Sequence, residues 1–480
     1  MTRTKLGTAV VLAMLALSGC ANLAPDFMRP AAPIPAAWPE TGRAVVGEGK
    51  TLAEIGWQDF FTDARLKELI ELSLQNNRDL RVAALNIDKA RAQYRIADAN
   101  RYPAIDASGG QTAQQTADDL SQNGEGAISR QYTAGVGFSS FELDFFGRVA
   151  NLKDQALEQF LATEEARRSA HISLVAEVAN AWLTLAADQE RLQLSRDTLA
   201  SQGESLKMTQ RSFEAGIATA LDLNQARIGQ ESARAEVARY TAAVAQDRNA
   251  LTLLVGAQPP AGLLPTTLGE VAATLADIPA GVPSGTFLQR PDVIQAERLL
   301  RAANANIGAA RAAFFPRITL TASGGVASNQ LSSLFDSGNG TWLFAPQIVL
   351  PIFNAGSNQA NLDSARAEQA IRVASYEKAI QSAFREASDA LAVRTTIGEQ
   401  IDAQTALVTA ARESYRLTDL RYQKGVDSYQ PVLDALRTSI SAQQSLITAQ
   451  LARQSNAVNL YKVFGGGWQA TSTTAEHSDR

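Results

Sequence analysis

The residues of this chain that could do chemistry are few, and those with a regular spacing have that of a helix surface. Asp434 and Arg437 stand three apart, in a stretch that begins just after Gly425. On a solvated helix such a pair attracts by about 0.2–0.5 kcal/mol, which is a stabilising contact rather than a reaction centre. Tyr422 precedes Gly425, Gln430 and Pro431 follow it, and Asp222 takes a related place after Gly216. The two histidines, His171 and His477, fall in a helical run and near the last residue, too far apart in setting for paired acid–base work. Cys20 is the sole cysteine, so an intramolecular disulfide, a cysteine metal site and a Cys–His nucleophile are all excluded. There is no P-loop and no dinucleotide glycine pattern. This inventory does not suit an enzyme, and no cofactor is expected. Any energy the protein uses must come from a partner.

The chain ends read as address and tail. Arg3 and Lys5 begin residues 1–19, an apolar stretch follows from Leu6 to Leu17, and Leu17-Ser18-Gly19-Cys20 closes it. About a dozen apolar residues fall short of the roughly 20 that span a bilayer, as in a cleaved signal peptide. The closing tetrapeptide resembles a bacterial lipobox. That resemblance makes Cys20 the mature N-terminus and the lipid anchor, and Ala21 after it favours sorting to the outer membrane. Multiple acyl chains on one residue anchor stably where one is marginal. Residues 20–50, with Pro25, Pro30, Pro33, Pro35 and Pro39, read as an extended tether, and 469–480 as a polar tail. Of the 44 basic residues, loss of Arg3 and Lys5 leaves 42 against 49 acidic ones, a balance that argues against nucleic acid.

Between those ends the chain states one pattern twice. Tyr102-Pro103-Ala104-Ile105 is echoed by Phe315-Pro316-Arg317-Ile318, and Leu143-Asp144-Phe145-Phe146-Gly147 by Leu350-Pro351-Ile352-Phe353-Asn354. Phe213-Glu214-Ala215-Gly216-Ile217 is echoed by Tyr422-Gln423-Lys424-Gly425-Val426. The offsets (316−103, 353−146 and 425−216) are 213, 207 and 209 residues, which marks one long duplicated unit. We assign residues 51–258 to the first copy, 259–288 to a linker and 289–468 to the second. Proline is absent between Pro103 and Pro259 and between Pro351 and Pro431, where Ala, Leu, Gln, Glu and Arg dominate. Helices are expected over 148–211 and 357–424, the first about 95 Å long at 1.5 Å per residue. Globular helices rarely run so far, and the alanine-rich seams suit helices packed closely side by side. Four Gly-rich segments, 104–116, 131–143, 317–329 and 341–351, have the length of tilted membrane strands. With no apolar run of 18 residues after the signal, only a closed barrel could cross a bilayer, and four strands close only by oligomerisation.

Taken in order, these residues resemble the outer-membrane factor family of the TolC/OprM (NodT) type, the exit ducts of tripartite efflux pumps. The carriers are the lipobox, Pro25-Asp26-Phe27-Met28-Arg29-Pro30, Trp57-Gln58-Asp59-Phe60-Phe61 and Phe141-Glu142-Leu143-Asp144-Phe145-Phe146-Gly147-Arg148. Further on come Arg290-Pro291-Asp292-Val293, Val432-Leu433-Asp434-Ala435 and the run from Leu460 to Trp468. The resemblance implies a mainly α protein with a duplicated strand–long-helix repeat. It also implies a homotrimer sharing a 12-stranded barrel in the outer membrane and an α-helical tunnel through the periplasm. Gly147 and Pro351 would mark the strand-to-helix turns. Gly216 and Gly425 would mark hairpin tips that meet a periplasmic adaptor (a membrane fusion protein) serving an inner-membrane efflux pump.

By the same resemblance Asp434 and Arg437 would line the constricted periplasmic mouth, with Tyr422, Asp222 and Gln430 near it. Converging carboxylates repel and attract cations, so a basic neighbour must compensate them in a closed mouth. Gln430 departs from the apolar residue common there, and Pro431 is likewise unusual. The function implied is passive export of drugs or other small toxic solutes. The rivals are a duct for type I protein secretion or for metal ions on the same fold, and a structural helical spacer without strands.

Overall fold

A computed structural model describes residues 22–35, 55–120, 126–271 and 286–467. The signal segment, Cys20, Trp468 and the tail lie outside the described residues. After a single helical turn at Trp57–Phe60, the chain forms α1 (Ala64–Asn76), α2 (Arg78–Ala99), β1 (Asp106–Gln115), β2 (Ile128–Leu143), α3 (Arg148–Glu214) and α4 (Ala220–Val255). The second copy follows as α5 (Pro291–Ala312), β3 (Arg317–Ser328), β4 (Gly340–Val349), α6 (Ser357–Gln423) and α7 (Gln430–Val463). Helices α2 and α5 are each 22 residues, and α3 and α6 are each 67 residues, about 100 Å. The offset that relates Gly216 to Gly425 also relates both ends of α3 to those of α6. The expected strands and long helices are therefore present, in the expected order.

The sheet is antiparallel throughout, ordered β1-β2-β3-β4, and β2 pairs with β3 across the duplication. Its register sorts the side chains. Val136, Phe138, Phe141 and Leu143 of β2 align with Gly324, Ala322, Leu320 and Ile318 of β3, which align in turn with Trp342, Phe344, Pro346 and Ile348 of β4. That face is apolar and open to the surroundings, with Trp342 82% and Ile348 68% exposed. Residues of the opposite face include Ser108, Thr112, Thr133, Thr319, Thr321, Ser323 and Gln347. Apolar outward and polar inward is the pattern of a membrane barrel wall. The alternation looks weak in the sequence because the register shifts between Phe138 and Phe141. Ser140 there takes φ +56° and donates its N–H to Thr321 Oγ1 at 3.1 Å. This bulge returns Phe141 to the face of Phe138. Close approach of β2 and β3 requires glycine: a Cβ at Gly137 would sit 2.5 Å from the Ala322 carbonyl oxygen.

The chain divides into two compact units, each drawn from both copies of the repeat. One comprises the segment up to Ala31, Ile87–Thr163 and Gln295–Tyr376. It contains the sheet and both strand-to-helix turns. Glu142, at the end of β2, accepts from Arg148 Nε and Nη2 (2.8 and 2.6 Å) and pairs with Arg317 Nε at 2.7 Å. Asp144 Oδ2 accepts from the Ala150 N–H at 2.8 Å, and Phe146 stacks on Phe315. Gly147, at φ +72°, makes the reversal directly before α3. The second turn pivots elsewhere than Pro351. Pro351 follows the last paired residue, Val349, while the left-handed positions are Ala355 (φ +53°) and Gly356 (φ +83°), directly before α6. The true counterpart of Gly147 is thus Gly356, not Asn354.

The same unit corrects the expected tether. Residues 22–30 are extended but docked, not free. Asn151 donates to Asn22, Arg311 to the Leu23 carbonyl and Asn304 to the Pro25 carbonyl. Arg301 lies over the Phe27 ring at 4.4 Å, and Arg29 pairs with buried Glu297. The Pro25–Pro30 motif is a strap held on α5.

The other unit, Ala32–Asn86, Glu164–Ile294 and Glu377–Arg480, holds the main core. Phe60 stacks on Tyr461 with ring centres 4.0 Å apart, Phe61 meets that ring edge-on, and the Tyr461 hydroxyl donates to the Ile55 carbonyl. Trp182, fully buried in α3, donates to the Leu263 carbonyl at 2.9 Å. Arg290 pairs with Asp292 (2.7 Å) and Glu386 (2.9 Å) and donates to the Val463 carbonyl. The motifs near residues 57, 290 and 460 therefore converge on one core. An 18-residue window of α3 is apolar enough for a membrane span, contrary to the expectation from sequence. It is 61% buried, and its apolar side chains serve this core. His171 of α3 is held down to about 4 by burial first and by Arg167 second, so it stays neutral near pH 7.

Candidate functional site

Two hairpin tips carry the residues singled out for control. At the first, Gly216 takes φ +73° and closes α3: its N–H donates to the Phe213 carbonyl and that of Ile217 to the Ser212 carbonyl. At the second, Gly425 takes φ +71°, with the same bonds from Gly425 to Tyr422 and from Val426 to Arg421. Both are Schellman closures, which need a left-handed residue that glycine supplies without a Cβ penalty. Nothing lies within 4 Å of a Cβ added at either glycine, so backbone conformation alone selects the residue. Beyond the glycines the tips present apolar side chains, with Ile217 81%, Leu221 66% and Val426 61% exposed.

The expected mouth residues separate into two roles. Asp434 and Arg437 of α7 are both exposed and pair at 3.6 Å. Gln430 Nε2 donates to both Asp434 carboxylate oxygens at 3.1 Å, and Gln430 Oε1 accepts from Gln225 Nε2 of α4 at 2.9 Å. Gln225, Gln430, Asp434 and Arg437 thus form one exposed polar chain bridging the two hairpins. Gln225 was not among the sequence candidates. It stands as far beyond Gly216 as Asp434 stands beyond Gly425, and that count could have found it. Asp222 also caps a helix. It accepts from the Thr219 N–H (2.9 Å) and hydroxyl (2.7 Å) while Thr219 accepts from the Asp222 N–H, a capping box for α4.

Tyr422 is half-buried, its ring 5.0 Å from that of buried Tyr429, in a small cluster with Ala226, Val432 and Leu433. Pro431 sits in the first turn of α7, where the missing N–H costs nothing. Arg421 donates to both Asp427 oxygens (2.5 and 3.0 Å) and holds that carboxyl below its ordinary range.

The arrangement is a paired set of long helical hairpins, a sheet with one apolar exposed face, and tips that expose apolar residues beside a polar chain. The family model described as outer membrane efflux protein matches residues 69–257 and again 282–466. The chain belongs to the outer membrane efflux protein family. It is 50% identical over 470 residues to the toluene efflux pump outer membrane protein TtgC of Pseudomonas putida, covering 98% of this chain and 96% of the relative. It is 43% identical over 459 residues to the cation efflux system protein CusC of Escherichia coli, covering 95% and 97%. The open-state MtrE outer membrane channel of Neisseria gonorrhoeae superposes with a TM-score of 0.83 at 36% identity, over 95% of this chain and all of that one. The efflux protein accordingly has the TolC-like fold and works in the outer membrane as the channel of an efflux system.

Proposed function

We propose that three copies of this efflux protein close a 12-stranded barrel and form a passive exit duct of a tripartite, RND-type pump. The observation that carries this reading is the sheet. Its apolar face is exposed, and among the described residues β1 and β4 have no partner on their outer edges. Open edges are not tolerated in hydrocarbon, so the wall must be completed by further copies. Cys20 would carry the lipid anchor, placed next to the docked strap that begins at Asn22. The tips around Gly216 and Gly425 would receive the periplasmic adaptor through their exposed apolar residues, and an inner-membrane pump would supply energy. Asp434, with Arg437 and the Gln430–Gln225 bridge, would gate the mouth: parting the hairpins breaks the bridge and leaves three carboxylates to repel. Cargo is read as drugs and small toxic solutes; metal ions are the second reading, CusC being named for a cation efflux system, and protein secretion the third.

A deletion strain complemented with wild type, Cys20→Ser or Asp434→Ala tests this. Dye and antibiotic accumulation is expected to rise on deletion and to fall with wild type, and native mass measurement of the purified protein should give trimers. Unchanged accumulation across dyes and antibiotics, with sensitivity to metal cations instead, moves the cargo to metal ions. A monomer in native detergent extracts overturns the shared barrel.

A further inference from the structure

Copies that share one barrel must join β4 of one to β1 of the next, and the duplication fixes how. Within the copy, Leu143 at the end of β2 in the first repeat pairs with Ile318 near the start of β3 in the second. The repeat offsets of 207 and 213 residues carry that pair to Leu350 of one copy and Ile105 of the next. Counted along the strands from there, Val349 faces Asp106 and Gly340 faces Gln115. These are the end residues of both strands, each 10 residues long, so the two free edges match from end to end. The register owes nothing to strand length, so this agreement is independent of it.

The side chains agree with that register. Ala107 pairs with Val136, which places Ala107, Gly109 and Ala113 on the apolar face of β1. They fall opposite Ile348, Pro346 and Trp342 of β4, small residues against large ones. Cross-strand neighbours of this kind are what stabilise a sheet. Packing inside the copy does not call for glycine on this edge. A Cβ added at Gly109 would come only within 3.9 Å of the Thr133 carbonyl oxygen, and β1 is exposed throughout. The turns follow the same rule. Phe146 of the first repeat stacks on Phe315 of the second, with ring centres 4.8 Å apart. The offsets convert these rings to Phe353 and Tyr102, which are 89% and 65% exposed. Each is left open in its own copy and has its counterpart on the next. The Glu142–Arg317 ion pair becomes Val349 and Ala104, so the seam between copies is apolar where the join within the copy is ionic.

We infer that β4 of each copy pairs antiparallel with β1 of the next in the register Val349–Asp106 to Gly340–Gln115, and that Phe353 stacks on the next copy's Tyr102. The partner of this edge is a second copy of the same chain, joined head to tail, an interface that closes into a ring. The seam rests on the shared-barrel reading, to which it adds a register and a pair of rings.

Four positions on the polar face test the register, Ser108 and Thr112 of β1 and Leu343 and Gln347 of β4. The matched pairs are Ser108→Cys with Gln347→Cys and Thr112→Cys with Leu343→Cys; exchanging the partners gives two crossed pairs from the same four substitutions. Facing residues of antiparallel strands have Cα atoms about 4.5–5.5 Å apart, within reach of a disulfide, whereas crossed partners lie about 14 Å apart. Full-length variants in isolated membranes are oxidised, boiled in SDS without reductant and run beside wild type, which controls for Cys20. Matched pairs should give reductant-sensitive dimers and trimers, and crossed pairs none. If native mass measurement gives trimers but neither matched pair cross-links, or crossed pairs cross-link equally well, the register is overturned and the shared barrel stands. Monomers by native mass overturn both. The rings are tested without cysteine, and they decide alone if no matched variant folds. Phe353→Ala and Tyr102→Ala should each lower the temperature of trimer dissociation, and the double variant should fall no further than the larger single loss. Additive losses overturn the stacking.

Discussion

The two hairpin tips have the same backbone and different means of holding it. Each ends a 67-residue helix with a left-handed glycine and the same pair of closing bonds. The first then starts α4 with a polar device, the Thr219–Asp222 capping box, and leaves Ile217 and Leu221 exposed. The second has no side-chain cap on α7; it relies on buried Tyr429 with Val432 and Leu433, and on the Arg421–Asp427 pair. A duplicated chain has kept the turn, which backbone geometry dictates, and let the reinforcement diverge. Burial is the stronger reinforcement, so the second tip should be stiffer and the first easier to open.

Changes at each tip can break that contrast. The largest effect is expected from Tyr429→Ala, because truncating a buried aromatic costs about 3–5 kcal/mol. Amide hydrogen exchange over 426–436 should accelerate sharply while 217–226 changes much less; equal acceleration at both tips would show that they are held as one. Next come Gly216→Val and Gly425→Val. Each places a β-branched residue in left-handed geometry at about 1–2 kcal/mol, and the two losses should match, since the backbone is the shared element. A thermal-unfolding difference between them beyond about 1 kcal/mol would refute backbone equivalence.

Smaller again is Thr219→Ala, about 1 kcal/mol, with faster exchange confined to the first turn of α4. The smallest is an acid response at the second tip. Asp427 titrates below its ordinary value because Arg421 bonds its ionised form. The stabilisation is therefore present above the unfolded value near 4 and lost as pH falls through the folded one. Protection at 426–428, corrected for the intrinsic exchange rate, should fall as pH drops below about 4, and Arg421→Gln should remove that response at the second tip.

The strand-to-helix turns repeat the lesson. Gly147 and Gly356 occupy matching places, yet the local sequence aligns Gly147 with Asn354 because Phe146 and Phe353 look alike. Phe146 stacks on Phe315, whereas Phe353 is 89% exposed, so similar residues are in different surroundings. Ala355 keeps a positive φ without being glycine, and Ala355→Gly should stabilise the turn slightly.

The sequence by itself determined the duplication, the long helices, the four strands and the tip glycines. Each of these rests on local rules: proline exclusion, helix propensity, strand length and the left-handed freedom of glycine. It did not determine partners at a distance. The bulge at Ser140 that sets which sheet face is apolar depends on pairing with β3, about 180 residues away. The docking of residues 22–30 depends on α5, and the joining of the motifs at Phe60, Arg290 and Tyr461 on chain segments from both copies. Asp222 and Gln225 make the same point at the site: their types and numbers were visible, but only the fold spent one carboxylate on a helix cap and carried the other residue's amide to Gln430. Local preferences are written in neighbouring residues, while long-range contacts are decided by which surfaces packing brings together.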